Sequence, residues 1–405
     1  MGPPKVAIVG ASAAGLIAAY NLAKNGVPVE VLEAQKDFEP LERTLIVTCA
    51  IDSLIDFDFS ETILNDIKNF RLISKNRKVD IPLSKADLVI ERRNFLKLLY
   101  TKAQEEGVRI FLGRRVRRVD RYENFVKVTC EVDGNLEEIV ADYTIMANGV
   151  QGLDFHRPCT TVGISQARVD LPKNTDKSTV HVWFDPSTTR FFYWLIPESN
   201  ESAVLGVIGQ SKKEAERLLI TFMNKNGMRP RMWQNSEDVP LPTLKKSRVS
   251  LGDGRILLAG DSAAQVKATT VGGLVTGLKG GISASYIILR RKDSRNLLRS
   301  LEKELLIHTI VRGILDMFNE TDYDLLIKII NKRLLSLFER VTRDELSKMS
   351  FKIFLSQPKL FGLLLRVFMR KIFSQWRQKG KLSCRRDVLP IDLIRGILYF
   401  ISVGG

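Results

Sequence analysis

The opening residues of this chain constrain its fold more than any other part. Residues 5–9 are a short apolar run ended by glycine. Gly10-Ala-Ser-Ala-Ala-Gly15 follows, then a run of good helix formers over 16–25, Gly26 as its stop, a β-branched run over 27–32, and Glu33. Strand, glycine turn, helix, strand and acid, in that order, make a dinucleotide-binding βαβ unit. Gly10 permits the tight turn, and Gly15 lets the helix pack closely on the sheet. The first N–H groups of the helix, at the positive end of its dipole, face a pyrophosphate. Glu33, 23 residues after Gly10, is placed to accept hydrogen bonds from a ribose diol. The usual middle glycine is Ser12 here, which adds a Cβ but also a hydroxyl able to donate to phosphate. The apolar start also resembles the h-region of a signal peptide, but its two glycines and its run into a βαβ unit favour the fold reading. By itself the turn leaves NAD and FAD both open.

Three later segments narrow the choice. Residues 88–111 read as a strand, a polar start at Glu91-Arg92-Arg-Asn-Phe95, an amphipathic helix stopped by Gly107, and another strand. Residues 142–150 are a buried strand running into the Asn148-Gly149 turn. Residues 255–273 are a strand, Gly260-Asp261, and the run Val266-Lys267-Ala-Thr269-Thr270-Val271-Gly272-Gly273 before a helix. Gly-Asp after a buried strand puts a carboxylate at the strand's C-terminal end, where open α/β sheets bind ligands. Asp261 can accept a ribityl hydroxyl there. Gly272-Gly273 at a helix start lets backbone N–H groups approach negative charge on a reduced flavin. This makes FAD the expected cofactor.

From about 161 to 242 the pattern changes to β-rich segments at 162–169, 179–184, 190–196 and 203–208, followed by a helix over 212–226. It reads as an antiparallel sheet backed by helices and inserted within the cofactor domain. Trp183 and Phe191 read as core. Phe192, Trp194 and Ile196 repeat every second residue and so share one strand face, a flat apolar wall.

Together these segments resemble two-domain flavoproteins of the p-hydroxybenzoate hydroxylase type, and more narrowly the geranylgeranyl reductase family, whose archaeal members saturate isoprenoid chains of membrane lipids. The run from Val266 to Gly273 has the family's order and spacing. Phe192-Tyr-Trp194-Leu-Ile196-Pro197 resembles its aromatic-x-Trp-x-apolar-Pro motif, and Glu91-Arg92-Arg-Asn-Phe95 its Asp-Arg-x-x-Phe. The resemblance covers about residues 5–290 and implies an α/β fold. A Rossmann-type FAD-binding domain lies in two parts, 1–160 and 246–290, the first including part of the substrate cavity at about 44–90. An antiparallel β-sheet substrate domain spans 161–245, and a basic helical C-terminal region spans 291–405. The implied FAD contacts are Gly10, Ser12, Ala13, Ala14, Gly15, Glu33, Ala34, Arg43, Arg92, Val116, Gly149, Gly260, Asp261, Val271, Gly272 and Gly273. The implied substrate contacts are Phe192, Trp194, Ile196 and Pro197. Two departures stand out. Asn148 replaces the usual Asp, and Cys49-Ala50-Ile51 replaces Cys-Gly-Glu, so Cys49 inherits a catalytic part in handling the substrate proton or reads as a buried thiol.

The four cysteines (Cys49, Cys130, Cys159 and Cys384) have no CxxC spacing, which fits neither a zinc site nor a disulfide framework and makes a reducing cytoplasm the expected compartment. His156, His181 and His308 lack metal-ligand spacing, so no metal is expected. No run of about 18 apolar residues predicts a membrane span. Net charge is +16, and residues 345–405 hold 12 Lys and Arg against 3 acids. Helices are expected over 297–318, 323–341 and 355–376, with a further apolar stretch at 391–403. Bulky apolar residues interleaved with these cations fit an anionic membrane surface better than nucleic acid. The expected protein is cytoplasmic and peripheral on the inner face of the cell membrane. It would use reduced FAD to transfer hydride to a C=C bond of a prenyl-chain lipid, with electrons from ferredoxin or NAD(P)H. The alternatives are an FAD-dependent aromatic monooxygenase of the same fold and a non-catalytic flavin-binding, membrane-associated protein.

Overall fold

The computed structural model describes residues 2–150, 160–244, 249–251, 254–330, 334–336 and 357–378. His156, Cys159, Cys384 and the apolar stretch at 391–403 lie outside the described residues. The chain divides into two compact units, one of residues 1–63, 90–161 and 238–305, the other of residues 64–89, 162–237 and 306–405.

The first unit is built on β1 (Val6–Val9), α1 (Ala13–Lys24) and β2 (Val29–Leu32). Every residue of β1 and β2 is buried, as expected of strands covered on both faces. After β3 (Thr44–Val47) come α2 (Arg92–Glu105), β6 (Arg109–Phe111) and a three-stranded meander of β7 (Arg115–Arg121), β8 (Val126–Val132) and β9 (Asn135–Ala141). Strand β10 (Tyr143–Met146) returns to the first sheet, which β16 (Ser250–Leu251) and β17 (Ile256–Leu258) complete in the order β16-β17-β10-β1-β2-β6. Strand β1 pairs in parallel with both β10 and β2, and β10 with β17, so their C-terminal ends share one edge. The meander packs Val119, Val126 and Val128 against Ala7, Val9, Met146 and Leu258 of this sheet.

Helix α4 (Leu274–Ile288) is rich in small residues because it crosses α1 at close range. A Cβ at Gly281 would stand 2.2 Å from the Ala14 carbonyl oxygen. Its buried hydroxyls are satisfied locally: Ser283 donates to the Lys279 carbonyl and Ser285 to that of Ile282.

The second unit holds two long strands, β4 (Ile63–Ile73) and β5 (Lys78–Glu91), and then β11 (Thr160–Asp170), β12 (Thr179–Trp183), β13 (Tyr193–Pro197) and β14 (Ser202–Gly209). Helix α3 (Lys212–Lys225) and β15 (Pro230–Leu241) follow, and the strand order is β15-β11-β14-β13-β12-β4-β5. The pairings from β11 through β12 are antiparallel, as expected over 161–245, and β12 also pairs in parallel with β4 from earlier in the chain, so the whole sheet is mixed. Parallel partners far apart in sequence leave no hairpin signature. Helix α3 starts at the Ser211 cap and covers one face, burying Ala215, Leu218, Leu219 and Met223 on Tyr193, Leu195, Leu205 and Val207. Trp183 packs with this cluster, against the Phe222 ring, as core.

Helices α5 (Ser294–Leu315), α6 (Glu320–Ile329) and α7 (Pro358–Gln378) end the described chain. Helix α6 starts earlier than expected because Asn319 and Asp322 form a capping box, and it stops where Ile330 turns extended. Of the second expected helix, 323–341, α6 covers the part to Ile329 and residues 334–336 are helical, while 331–333 and 337–341 lie outside the described residues.

Candidate functional site

The parallel sheet of the first unit brings four turns to the C-terminal edge of adjacent strands: Gly10 after β1, Glu33 after β2, Asn148-Gly149 after β10, and Gly260-Asp261 after β17. This is where an open α/β sheet binds its ligand.

The β1 turn requires its glycines. Gly10 has φ +98°, and a Cβ there would stand 2.7 Å from the Ala147 carbonyl oxygen. A Cβ at Gly15 would lie 2.2 Å from the Gly10 carbonyl oxygen, so any side chain would push α1 off its own turn. Ser12 caps α1: its Oγ accepts from the Gly15 N–H at 3.3 Å. That uses an oxygen lone pair and leaves the hydroxyl proton available to a phosphate. The first-turn N–H groups of Ala13 and Ala14 have no intrahelical acceptor, by the geometry of a helix start. Ala14 itself is buried, and a Cβ on Gly260 would stand 2.9 Å from its methyl group.

Glu33 braces the same turn. Its Oε2 accepts from the Ala11 N–H at 2.8 Å and its Oε1 from the Gln35 N–H at 2.9 Å. Each oxygen retains acceptor capacity for a ribose hydroxyl. Ala34 follows it. Val116 pairs with Cys130 beside a β-bulge and packs on the same core.

Arg43 and Arg92 are brought together by Glu91, which caps α2 through the Asn94 N–H at 2.8 Å and accepts from the Arg43 N–H at 3.1 Å. The Arg92 N–H donates to the Arg43 carbonyl. Arg43 is buried. Glu91 is thus committed to the helix cap.

The strand β17 turn carries the strain expected of a built site. Gly260 has φ +65°, Ala264 +49° and the β-branched Val271 +54°. Val271 is in the left-handed region because the chain doubles back: the Lys267 N–H donates to the Gly272 carbonyl, and the Val271 N–H to the Lys267 carbonyl. This brings Gly272 and Gly273 to the start of α4, which no side chain caps. Asp261 lies against that start, since a Cβ at Gly273 would be 3.3 Å from its Oδ1. An uncapped helix N-terminus beside a carboxylate is an arrangement that fits the pyrimidine edge and ribityl chain of a flavin.

Two residues of this site carry no recognised motif. Gln265 accepts the Gly260 N–H through Oε1 at 2.7 Å, fixing the turn, and it is buried. Ser262 donates to Asn148 Oδ1 and the Gly149 carbonyl, both at 3.2 Å, tying two turns together. A lone amide inside Ala263-Ala-Gln-Val is the available signal for Gln265, since buried polar groups are rare and partnered. Cys49 is a half-buried reduced thiol at the head of a 3-10 turn, Cys49–Ser53, capped by Thr48.

In the second unit, Trp194, Ile196 and Pro197 are buried in β13, and Phe192 stands just before it. The Phe192 and Trp194 rings meet edge to face at 5.9 Å, and Phe184 joins them at 6.2 Å. The Trp194 ring lies across Gly206 of β14, where a Cβ would stand 2.2 Å from its Cζ2. Its indole N–H is buried with no acceptor. Gly206 is therefore part of this wall, a residue that strand periodicity does not single out. Phe191 is core, with the Arg312 guanidinium 4.7 Å from its ring centre. His308 is buried in α5, and burial with the Arg71 charge holds His181, which pairs opposite Leu195 of β13, below its usual range. Among the described residues no cluster could hold a metal ion.

A family model described as FAD binding domain matches residues 4–285. The digeranylgeranylglycerophospholipid reductase of Methanococcus vannielii is 25% identical over 312 residues, covering 72% of this chain and 78% of that protein. Its counterpart in Methanocaldococcus jannaschii is 26% identical over 357 residues, covering 79% of this chain and 88% of that protein. Among solved structures, a geranylgeranyl bacteriochlorophyll reductase-like protein from Thermoplasma acidophilum superposes with a TM-score of 0.73 at 16% identity, over 89% of this chain and all of that one.

Proposed function

The chain belongs to the FAD binding domain family, and on that premise we propose that it is an FAD-dependent reductase saturating C=C bonds in the geranylgeranyl-type chain of a membrane lipid. The observation that carries the proposal is the set of turns at one sheet edge, fitted to FAD, in a chain similar to digeranylgeranylglycerophospholipid reductases over more than 70% of its length. The reading accounts for the strained Val266–Gly273 loop and for the apolar wall around Trp194.

Bound and reduced, FAD supplies the hydride equivalent. The chain's own residues do the rest. The Ala13 and Ala14 N–H groups and the Ser12 hydroxyl hold pyrophosphate, with Gly10 and Gly15 keeping the turn open to it. Glu33 and Ala34 receive the adenosine ribose, and Val116 offers its strand to the adenine. Arg43, Arg92 and Gly149 complete the cofactor contacts. Asp261 accepts a ribityl hydroxyl, and the Val271–Gly273 backbone faces the negative edge of the ring. Phe192, Trp194, Ile196 and Pro197 contact the prenyl chain and exclude water, which an unactivated alkene requires, since it reacts only when held close and dry. Cys49 delivers the proton that completes saturation at the second alkene carbon. Electrons arrive from ferredoxin or NAD(P)H, and the enzyme works at the surface of an anionic membrane. Among the described residues no helix is long and apolar enough to cross one.

The test is anaerobic incubation of the purified protein with a digeranylgeranyl phospholipid and a chemical reductant, followed by mass spectrometry of the lipid. The proposal expects products carrying two added hydrogens per saturated bond. Unchanged lipid across candidate prenyl acceptors, or hydroxylation of an aromatic substrate once oxygen is admitted, would replace it with the monooxygenase reading.

A further inference from the structure

Among the described residues, helix α7 has one face seated on the protein and another that stands exposed. Leu363 and Val367 are buried, at 5% and 0% exposure. Arg370 anchors the same side, donating to Asp322 Oδ2 at 2.5 Å and to the Met317 carbonyl at 2.6 Å. Asp322 is also held by the capping box of α6. Phe361, Leu365 and Met369 follow one another at four-residue steps, which places them on one stripe of the helix. They are 66%, 53% and 41% exposed. Among the described residues no other helix carries more than one exposed large apolar side chain.

The charges on α7 itself have one sign. Lys359 stands exposed along the stripe, as does Arg366, whose guanidinium also lies 3.8 Å from Asp322 Oδ1. No acidic residue occurs between Glu345 and Asp387, a stretch holding 11 Lys and Arg. Scattered apolar surface residues need no explanation, but an aligned row beside cations does. A nucleic acid would satisfy the cations and leave the row in water. An anionic bilayer satisfies both, with the row inserted below the headgroups and the cations among them.

We propose that α7 is the membrane-docking element of this protein, inserting Phe361, Leu365 and Met369 into an anionic lipid surface. The inference rests on the proposed function for its purpose, since a lipid substrate must be drawn from a bilayer, and on α7 alone for its physical basis.

The test is flotation of the full-length, FAD-loaded protein with phosphatidylcholine vesicles and with vesicles also containing phosphatidylglycerol. The wild type is compared with the combined variant Phe361→Ser, Leu365→Ser, Met369→Ser. Burial of each large apolar side chain is worth about an order of magnitude in a binding constant. The wild type is expected to float with the anionic vesicles, and the variant to lose at least about tenfold in partition with unchanged FAD content and thermal unfolding. Equal flotation of the two proteins, or no flotation of the wild type, overturns the proposal. So does a variant that unfolds at lower temperature, which would mean the stripe is packed within the fold. Dissociation of a wild-type oligomer in the variant would assign the stripe to a second copy and overturn the proposal equally. These vesicles contain no prenyl lipid, so the result stands apart from the reductase reading.

Discussion

Exchanging Glu33 for glutamine keeps the side-chain shape while removing one acceptor oxygen and the charge. In the structure Oε2 accepts from the Ala11 N–H at 2.8 Å and Oε1 from the Gln35 N–H at 2.9 Å. An amide can serve only one of these donors, and its NH2 group faces the other. A hydrogen bond to a charged group contributes about 1.5–3 kcal/mol, and leaving a donor without its acceptor costs a similar amount. If the same oxygens receive the ribose diol, the loss falls on both the turn and the cofactor. The expected effect is about a ten- to hundredfold rise in the FAD dissociation constant. It should come with a modest fall in the thermal stability of the apoprotein, because the Ala11 N–H belongs to the phosphate turn. The assay is FAD titration of flavin-stripped protein, followed by quenching of flavin fluorescence, with Glu33→Asp alongside as the variant that restores the charge. Affinity within twofold of wild type for Glu33→Gln, with reduced apoprotein stability, would refute the ribose assignment and leave Glu33 as a backbone brace only.

Gly15→Val should abolish FAD retention while the protein still expresses, because its Cβ would sit 2.2 Å from the Gly10 carbonyl oxygen; the flavin absorbance of purified protein reads this directly. Gly206→Ala displaces the Trp194 ring and should cost about 1–3 kcal/mol of stability, measured by denaturant unfolding, and raise KM for a prenyl substrate more than it lowers FAD affinity. Cys49→Ala should slow prenyl saturation by about a hundredfold if Cys49 supplies the proton, with Cys49→Ser recovering part of the rate and flavin binding unchanged. His181 is held below its usual range first by burial and then by the Arg71 charge, with Asp80 and Asp176 pulling the other way. Its neutral form therefore contributes stability that is complete above about pH 6.5 and is lost as the pH falls through the lower folded value. His181→Gln should flatten the thermal-stability profile from about pH 7 to about pH 5.

What the sequence makes legible is what is local. The strand, turn, helix, strand and acid from Lys5 to Glu33 are contiguous, and each junction is punctuated by a residue with one conformational reason to be there. The structure places Gly10, Ser12 and Glu33 within one hydrogen-bonded turn. The residues 266–273 are equally local: the left-handed Val271 lies inside a loop closed by its own backbone. The longer strands of the second unit are less visible. Strand β4 has a polar, half-exposed face and pairs in parallel with β12, bringing Leu72 opposite Val182, so no turn signal links the partners. Gly206 is invisible for a related reason, since its need for space arises from Trp194 on the neighbouring strand. Ser12 shows a third kind of difference. Its hydroxyl reads as a phosphate donor in sequence, and in the fold the oxygen also caps α1. The exposed stripe on α7 follows from helical spacing only once Arg370 is known to face inward.

The claim that FAD in this protein reduces a prenyl chain is tested most directly by the flavin itself. The purified protein, reduced with dithionite under argon and freed of excess reductant, should stay colourless until a digeranylgeranyl phospholipid is added. The account predicts that the yellow absorbance then returns in proportion to the double bonds saturated, while a fully saturated analogue leaves the enzyme colourless. Reoxidation by oxygen alone, with no response to the unsaturated lipid, would contradict it.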